Sequence, residues 1–241
     1  AWGEKGRDKR DLLSRITGDS YQISYEAKLA KTMFDNDIDY FASWGYSSGK
    51  PHKGFPHTSY YVARSVAKFK NCNRVGVLRY LLGKTGWHEV NGFAGFDKKA
   101  NTLRIMGYSL KHCYNDRFEV PSQWRILAPQ FAGKEVKIST LTMDYKINFC
   151  DEFKKDRKIH NLKDSDFTWS PNSVQLDLTR AWCDKKNHKL YMEKLRPKYV
   201  KMSKIEPEVK TVKVGENGVI DLSHTFCGNS AVFFEITPVE K

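Results

Sequence analysis

Residues 20–45, SYQISYEAKLAKTMFDNDIDYFASWG, are the stretch that decides the fold. An apolar or aromatic side chain recurs every four residues, which is the spacing of one helix face, at Tyr21, Tyr25, Leu29 and Met33. Because Ser20 supplies N-cap chemistry, we predict a helix from there to near Asn36. The apolar run 38–44 follows at once and predicts a buried strand. A helix, a tight turn and a buried strand in this order are typical of one step of a parallel α/β structure.

The sequence outward from this stretch changes character near residue 73. A turn-rich loop first leads to a second predicted helix, which begins at Thr58 and extends to Asn71. Short β-type runs separated by Gly, Asn and Asp then favour an antiparallel sandwich. We predict strands at residues 75–82, 89–96, 102–109, 124–127, 136–144, 210–214 and 231–237. The chain is therefore predicted to divide into an α/β piece, residues 1–72, and a β-sandwich domain, residues 73–241.

The charge of the chain is large and unevenly distributed. Its 241 residues include 41 Lys+Arg and 28 Asp+Glu, which leaves a net charge of +13. Residues 185–213 hold ten Lys/Arg and three Glu, and we interpret this segment as a solvated basic connector or an electrostatic footprint. An aromatic content of 13% argues against a disordered chain. The sequence lacks the apolar run of about 18–20 residues that a membrane helix needs.

The five cysteines are widely spaced single residues. They form no CxxC pair and no Cys/His cluster with zinc spacing, so we predict neither a metal site nor a cofactor. This usage favours a secreted or lumenal protein with one or two disulfides. The chain begins Ala1-Trp2-Gly3, which we interpret as a processed terminus.

Four segments carry a resemblance to a known family. Residues 20–49 combine an Ala- and aromatic-rich helix with a strand ending in Trp, and residues 49–69 place Lys-Pro and Gly-Phe turns before a Tyr/Ala-rich helix. Residues 141–158, LTMDYKINFCDEFKKDRK, are similar to a stretch of the iduronidases, and residues 218–240 have the pattern of closing sandwich strands. Together they resemble the C-terminal part of clan A glycoside hydrolases of family 39, the β-xylosidases and α-L-iduronidases. The resemblance implies the terminal portion of a (β/α)8 TIM barrel followed by an antiparallel β-sandwich.

The resemblance also implies what this chain lacks. Retaining enzymes use two carboxylates about 5–5.5 Å apart, one as acid/base and one as nucleophile. The family's Asn-Glu pair has no counterpart here, and its nucleophile would come before Ala1; we interpret Glu4 as an exposed loop acid. We therefore expect no catalytic residue in this chain, and we expect an N-terminal companion chain of the same precursor to complete the barrel. Whether the protein is an enzyme is left open.

Substrate-binding and disulfide residues follow from the same resemblance. Trp44 either stacks under a sugar ring or seals the barrel core, and both alternatives stay open. The other candidates lie beside the nucleophile position or in a loop whose cations and donors suit an acidic sugar: Trp2, Tyr46, Lys50 and His52, with Lys53 and His57 in the same loop. The preferred disulfides are Cys150 with Cys227, where Cys183 is the second choice of partner, and Cys72 with Cys113.

Three functions compete at this point. The leading hypothesis is the C-terminal chain of a glycoside hydrolase-like, carbohydrate-associated protein, for which the basic segment favours an acidic polysaccharide. The alternative is a non-catalytic storage, structural or carrier subunit of a secreted assembly that is built on the hydrolase scaffold. The third is nucleic-acid binding, which has the charge but lacks a helix-turn-helix, a zinc finger and the pattern of an RNA-recognition module.

Overall fold

The structure, a computed structural model, describes residues 20–38, 58–77, 88–111, 118–147, 149–161 and 189–239. The α-helices in these ranges are α1 (Ser20–Asp35), α2 (Thr58–Ala67), α3 (Phe149–Ile159) and α4 (Arg196–Met202). A π-helical turn, Tyr191–Leu195, runs directly into α4, and two short 3-10 turns lie at Pro129–Phe131 and Tyr145–Ile147. The strands are β1 (Asn73–Val75), β2 (His88–Asp97), β3 (Thr102–Lys111), β4 (Glu119–Leu127), β5 (Glu135–Met143), β6 (Glu208–Lys213), β7 (Val219–Cys227) and β8 (Ser230–Pro238).

The strands form two antiparallel sheets that share one core. The larger sheet has the order β1-β2-β3-β8-β5-β6, and the smaller one pairs β4 with β7. Alternate side chains of the larger sheet, among them Ile105 and Phe234, pack against Leu222 and Phe226 of β7. Since successive residues of a strand point to opposite faces, this core uses only one face of the larger sheet.

Helices cover the other face of the larger sheet. Ile23 of α1 and Val62 of α2 are buried in a second core with Met106 and Phe233. The described residues thus form three layers: helices, a six-stranded sheet and a two-stranded sheet. The described residues are mainly antiparallel sheet with a few helices, so the antiparallel part of the predicted fold class is confirmed. The predicted parallel strand 38–44 lies outside the described residues except for Ile38.

The sequence predictions for individual elements succeed where the pattern is regular. Both predicted helices are present, and six of the seven predicted strands match β2, β3, β4, β5, β6 and β8 to within a few residues. Only the first residue of the predicted strand 75–82 lies in a strand, at the end of β1, and residues 78–82 are outside the described part. The prediction missed α3, and it included β7 only through the resemblance of residues 218–240 to closing sandwich strands.

The interpretation of residues 185–213 as a solvated connector is wrong for 191–202, which are helical. Tyr191, Leu195 and Tyr199 recur every four residues and are all buried, so this segment has an apolar face. Pro197 does not break the helix because it lies in the first turn of α4, where the backbone N–H has no partner within the helix.

A pair of glycines makes room for the Trp124 indole between the sheets. Gly92 and Gly107 face each other in register, and a Cβ on Gly107 would lie 2.6 Å from Trp124 Cζ2. We predict that Gly107→Ala lowers the free energy of unfolding by about 1–3 kcal/mol through overpacking, as measured by urea denaturation. Gly76→Ala is the matched control, since a Cβ on Gly76 would have no atom within 4 Å. Equal losses in the two variants would contradict the role of the indole.

Candidate functional site

The predicted substrate-binding residues stay predictions. Trp2, Trp44, Tyr46, Lys50 and His52 all lie outside the described residues. The structure therefore does not bring them together or separate them. The chemistry described below belongs to the sandwich and the helices packed on it.

The preferred disulfides are not present. Cys72 and Cys227 are free thiols, which corrects both pairings, Cys150 with Cys227 and Cys72 with Cys113. Cys72 lies just after α2, where Arg104 Nη1 donates a hydrogen bond to its sulfur at 3.3 Å. Cys227 lies at the end of β7, and its partner in register is Glu119 rather than a cysteine. Cys113 lies outside the described residues.

One group of carboxylates surrounds Arg104. Its Nε donates to Glu235 at 2.9 Å and its Nη1 donates to Asp97 at 3.1 Å, while Lys68 donates to the other oxygen of Glu235. Burial alone would raise the pKa of Glu235, but the hydrogen bonds from Arg104 and Lys68 lower it below its ordinary value. Backbone hydrogen bonds, chiefly from Ala100, and Arg104 lower the pKa of Asp97. Both acids are held ionised in salt bridges, so they do not form an acid/base pair.

A second group of carboxylates lies between α3 and α4. Lys198 Nζ contacts Glu152 at 2.8 Å and both oxygens of Asp156 at 2.9 and 3.0 Å. Tyr199 donates its hydroxyl proton to Asp156 at 2.7 Å. Hydrogen bonds from Lys198 and Lys155 lower the pKa of Glu152. The network joins the two helices, and the lowered pKa keeps Glu152 ionised at neutral pH.

Glu26 on α1 is different, because burial raises its pKa to about 7. Its described hydrogen bond comes from the side-chain amide of Gln22, at 2.8 Å, and Gln22 is itself buried. An amide donor compensates a carboxylate only weakly. Glu26 is thus the one described carboxylate for which a raised pKa is resolved, and the sequence offers no signal for it because the pair lies within an ordinary amphipathic helix.

We predict that Glu26→Gln stabilises the protein at pH 8. Between the ordinary pKa of 4.5 and about 7, the folded state keeps a proton that the unfolded state has lost, so stability falls as the pH rises. At about 1.36 kcal/mol per pH unit, the loss approaches about 3 kcal/mol above pH 7, and glutamine avoids it. The measurement is the free energy of unfolding at pH 5 and pH 8.

The control for this prediction is Glu89→Gln. Burial opposes ionisation of Glu89, but Lys28, Tyr108 and Asn91 donate hydrogen bonds to its carboxylate and leave its pKa below the ordinary value. Glu89→Gln should therefore destabilise the protein at pH 8. A Glu26→Gln variant that is no more stable than wild type at pH 8 would contradict the assignment.

A serine and a histidine also form a pair, on β3 and β2. His88 Nε2 and Ser109 Oγ are 2.8 Å apart, and the His88 ring packs edge-on against Phe118. A Ser–His hydrogen bond is one signature of an activated nucleophile. However, Ser109 is 0% exposed, so no substrate reaches its hydroxyl. We interpret this pair as structural.

The helical residues 191–202, which we call the basic helix, consist of the π-helical turn and α4. The residues that follow the C-terminal end of this helix are held by Tyr61 of α2. The Tyr61 hydroxyl donates to the carbonyl oxygen of Ser203 at 3.0 Å and accepts from the N–H of Ile205 at 3.1 Å. It thereby satisfies two backbone groups that follow α4. Sequence patterns do not reveal these contacts, since Ser203 and Ile205 lie 142 and 144 residues after Tyr61.

We predict that Tyr61→Phe lowers the free energy of unfolding by about 1–2 kcal/mol, because it removes both hydrogen bonds and keeps the ring. Amide exchange at Ile205 should accelerate in this variant. Tyr60→Phe is the control, since the Tyr60 hydroxyl accepts only from the exposed Arg64. Unchanged exchange at Ile205 would contradict the anchoring role of Tyr61.

The described residues contain neither a metal-binding cluster nor a membrane-spanning helix. Among them, no group of three or more His, Cys, Asp or Glu side chains is arranged to hold a metal ion. The helices of that same part are too short or too polar to cross a lipid bilayer. What the described residues do offer is a set of salt-bridged carboxylates and a firmly anchored basic helix.

Comparison with known proteins identifies relatives of the fold. No family model and no curated protein sequence matches the chain. The structure is similar to the GH39 enzyme from Xanthomonas axonopodis pv. citri, with a TM-score of 0.61 and 10% identity over 93% of this chain and 42% of that enzyme. It is also similar to a monomeric β-xylosidase from Caulobacter crescentus CB15, with a TM-score of 0.56 and 14% identity over 94% of this chain and 43% of that enzyme. The predicted resemblance to family 39 is thus confirmed as a likeness of fold, and the chain spans less than half the length of these enzymes.

Proposed function

We propose that this chain is the C-terminal portion of a glycoside hydrolase-like, carbohydrate-associated protein. The observation that carries the proposal is the likeness to GH39 enzymes over more than nine-tenths of this chain but less than half of theirs. In this proposal, residues 1–72 contribute the end of a TIM-barrel-like domain, and residues 73–241 form the sandwich.

The catalytic carboxylates are proposed to come from an N-terminal companion chain of the same precursor. A retaining mechanism needs one acid held protonated and one held ionised. The two described carboxylate groups, around Arg104 and around Lys198, are neutralised by salt bridges and do not meet this need. The role of this chain is then to support the barrel and to bind carbohydrate.

A secreted or lumenal location is part of the same proposal. Its support is the wide spacing of the five cysteines. The free thiols of Cys72 and Cys227 do not add to that support. Labelling of the protein from its source with a thiol reagent, before and after reduction, tests whether the remaining cysteines are bridged.

The test of the proposed function is to purify the protein from its source and sequence any chain that accompanies it. A companion with an Asn-Glu pair, together with turnover of an aryl β-xyloside or aryl α-L-iduronide, is the expected result. The absence of a companion from a folded, monomeric preparation would overturn the two-chain proposal.

The second candidate is a non-catalytic storage, structural or carrier subunit. The salt-bridged state of the described carboxylate groups favours it, because such groups stabilise a scaffold rather than transfer protons. A companion chain without any glycosidase turnover would support this candidate. Turnover that is abolished by a carboxylate-directed inhibitor would exclude it.

A further inference from the structure

One side of the basic helix carries a row of exposed lysines. Lys194, Lys198 and Lys201 are spaced i, i+4 and i+7, which places them on one side of a helix, and Lys204 follows directly after α4. All four side chains are exposed. We call these four residues the α4 lysine face.

The positive charge of the α4 lysine face is largely uncompensated. Lys198 pairs with Glu152 and Asp156, but Lys194, Lys201 and Lys204 make no ion pair within the described part of the chain. Residues 189–204 contain six Lys or Arg and a single acid, Glu193. Like charges on one side of a helix repel each other, so an anion that bridges them would stabilise the face.

The opposite side of the same helix holds the lysines in place. Tyr191, Leu195 and Tyr199 are buried, Tyr199 bonds Asp156 of α3, and Tyr61 fixes the residues after α4. The charges therefore project from a fixed scaffold rather than from a connector. A preorganised surface loses less conformational entropy when it binds a ligand.

We propose that the α4 lysine face binds an extended acidic polysaccharide. The choice of a sugar polymer rests on the proposed carbohydrate function. The row of positive charges is the reason to propose an acidic and extended polymer. Tyr191 and Tyr199 are turned inward, so the face has no ring from these residues on which a nucleic-acid base stacks. Lysine is a hydrated point charge without the fork with which arginine reads guanine, and it can pair with sulfate or carboxylate groups spread along a chain.

The test uses dextran sulfate as the probe and neutral dextran as its uncharged counterpart. Wild-type protein should bind dextran sulfate and not dextran. The triple variant Lys194→Gln, Lys201→Gln, Lys204→Gln should weaken binding at least about tenfold at 0.1 M salt and should reduce its salt dependence, because fewer counterions are released. An unchanged melting temperature shows that the variant is folded.

A matched control removes the same charge elsewhere. Lys98, Lys137 and Lys213 are exposed lysines on the strands and a turn of the larger sheet, and their triple Gln variant should retain binding. Equal losses from both triple variants would overturn the proposal in favour of net charge. Equally tight, equally salt-dependent binding of a DNA duplex would overturn the choice of polysaccharide, and failure to bind dextran sulfate at low salt would overturn the site itself.

This assay needs no turnover and no companion chain. Binding through the α4 lysine face in a preparation without a companion chain contradicts the proposed two-chain hydrolase and supports the inference. If the protein is a two-chain hydrolase and its wild-type form does not bind dextran sulfate, the proposed function is supported and the binding inference is contradicted. The two proposals therefore fail separately.

Discussion

Asp156→Ala is expected to lower the free energy of unfolding by about 1–3 kcal/mol, the loss typical of leaving a buried hydrogen-bond donor, here the Tyr199 hydroxyl, without its acceptor. Asp156 is 3% exposed and accepts hydrogen bonds from Lys198 and Tyr199. Alanine removes the acceptor of Tyr199 and leaves a cavity between α3 and α4, while Lys198 keeps its contact with Glu152. The measurement is urea denaturation monitored by far-UV circular dichroism.

Glu152→Ala is the control for this prediction because Glu152 binds the same ammonium group. Its carboxylate is 2.8 Å from Lys198 Nζ, but its side chain is 25% exposed against 5% for Asp156. A partly exposed salt bridge is worth about 0–1 kcal/mol, so we expect a small loss. Similar losses in the two variants would contradict the claim that burial decides the contribution.

Hydrogen exchange separates a local effect from a global one. If Asp156 anchors the basic helix, amides of residues 191–202 should exchange faster in Asp156→Ala, while those of β3 and β8 keep their protection relative to global unfolding. Uniform acceleration across the molecule would show that Asp156 supports the whole core instead. The same variant should also weaken binding to dextran sulfate, because the α4 lysine face is no longer held in place.

The sequence predicts α1 well because its helical signal is local. The four-residue spacing from Tyr21 to Met33 and the cap at Ser20 lie in one uninterrupted stretch, and the observed helix is Ser20–Asp35. The strands of the larger sheet are also signalled locally, by runs of alternating residues bounded by turns. Such patterns need no knowledge of the partner element.

The basic helix shows how a local signal is lost. Its apolar positions, Tyr191, Leu195 and Tyr199, are separated by three residues each and stand among six cations. The π-helical turn also departs from the regular period before α4 begins. Composition therefore outweighs periodicity in this segment, and the sequence indicates a connector where the structure has an anchored helix.

The β-type runs read from the sequence omit β7, which is indicated only by the resemblance of residues 218–240 to closing sandwich strands. Ile220, Leu222 and Phe226 point into the core between the sheets, and His224 occupies the intervening inward position. Burial lowers the pKa of His224 to about 4, so the ring stays neutral and packs against Phe226. A histidine at an inward position breaks the apolar alternation in the sequence without breaking the strand.

The contacts between distant residues are beyond any pattern in the sequence. Arg104 and Glu235 are 131 residues apart, and Tyr61 and Ser203 are 142 residues apart. The sheet register brings the first pair together, and the contact of Tyr61 with the residues after α4 brings the second. The proposed sugar-binding residues rested on the resemblance alone, and the structure leaves them as predictions.

Arg104→Met is expected to lower the free energy of unfolding by about 3 kcal/mol, because it leaves Asp97 and Glu235 without their shared guanidinium. Arg125→Met is a closely matched comparison. Both arginines lie opposite an acid in register on the neighbouring strand, and in both pairs Nε is 2.9 Å from the carboxylate oxygen. The pairs differ in burial: the side chains of Arg104 and Glu235 are 12% and 22% exposed, and those of Arg125 and Asp221 are 75% and 62% exposed.

Because the two pairs differ in burial, the two variants should lose different amounts of stability, and these losses should depend differently on salt and on pH. Arg125→Met should cause little loss of stability, and even that loss should vanish at 1 M salt, whereas the effect of Arg104→Met should persist. The lowered pKa values of Asp97 and Glu235 give wild type stability that is present above their ordinary pKa values and is lost as the pH falls. The difference in free energy of unfolding between wild type and Arg104→Met should consequently become smaller below pH 4, because the protonated acids no longer form ion pairs with the guanidinium. If Arg104→Met destabilises the protein no more than Arg125→Met at pH 7, geometry rather than burial sets the strength of these pairs.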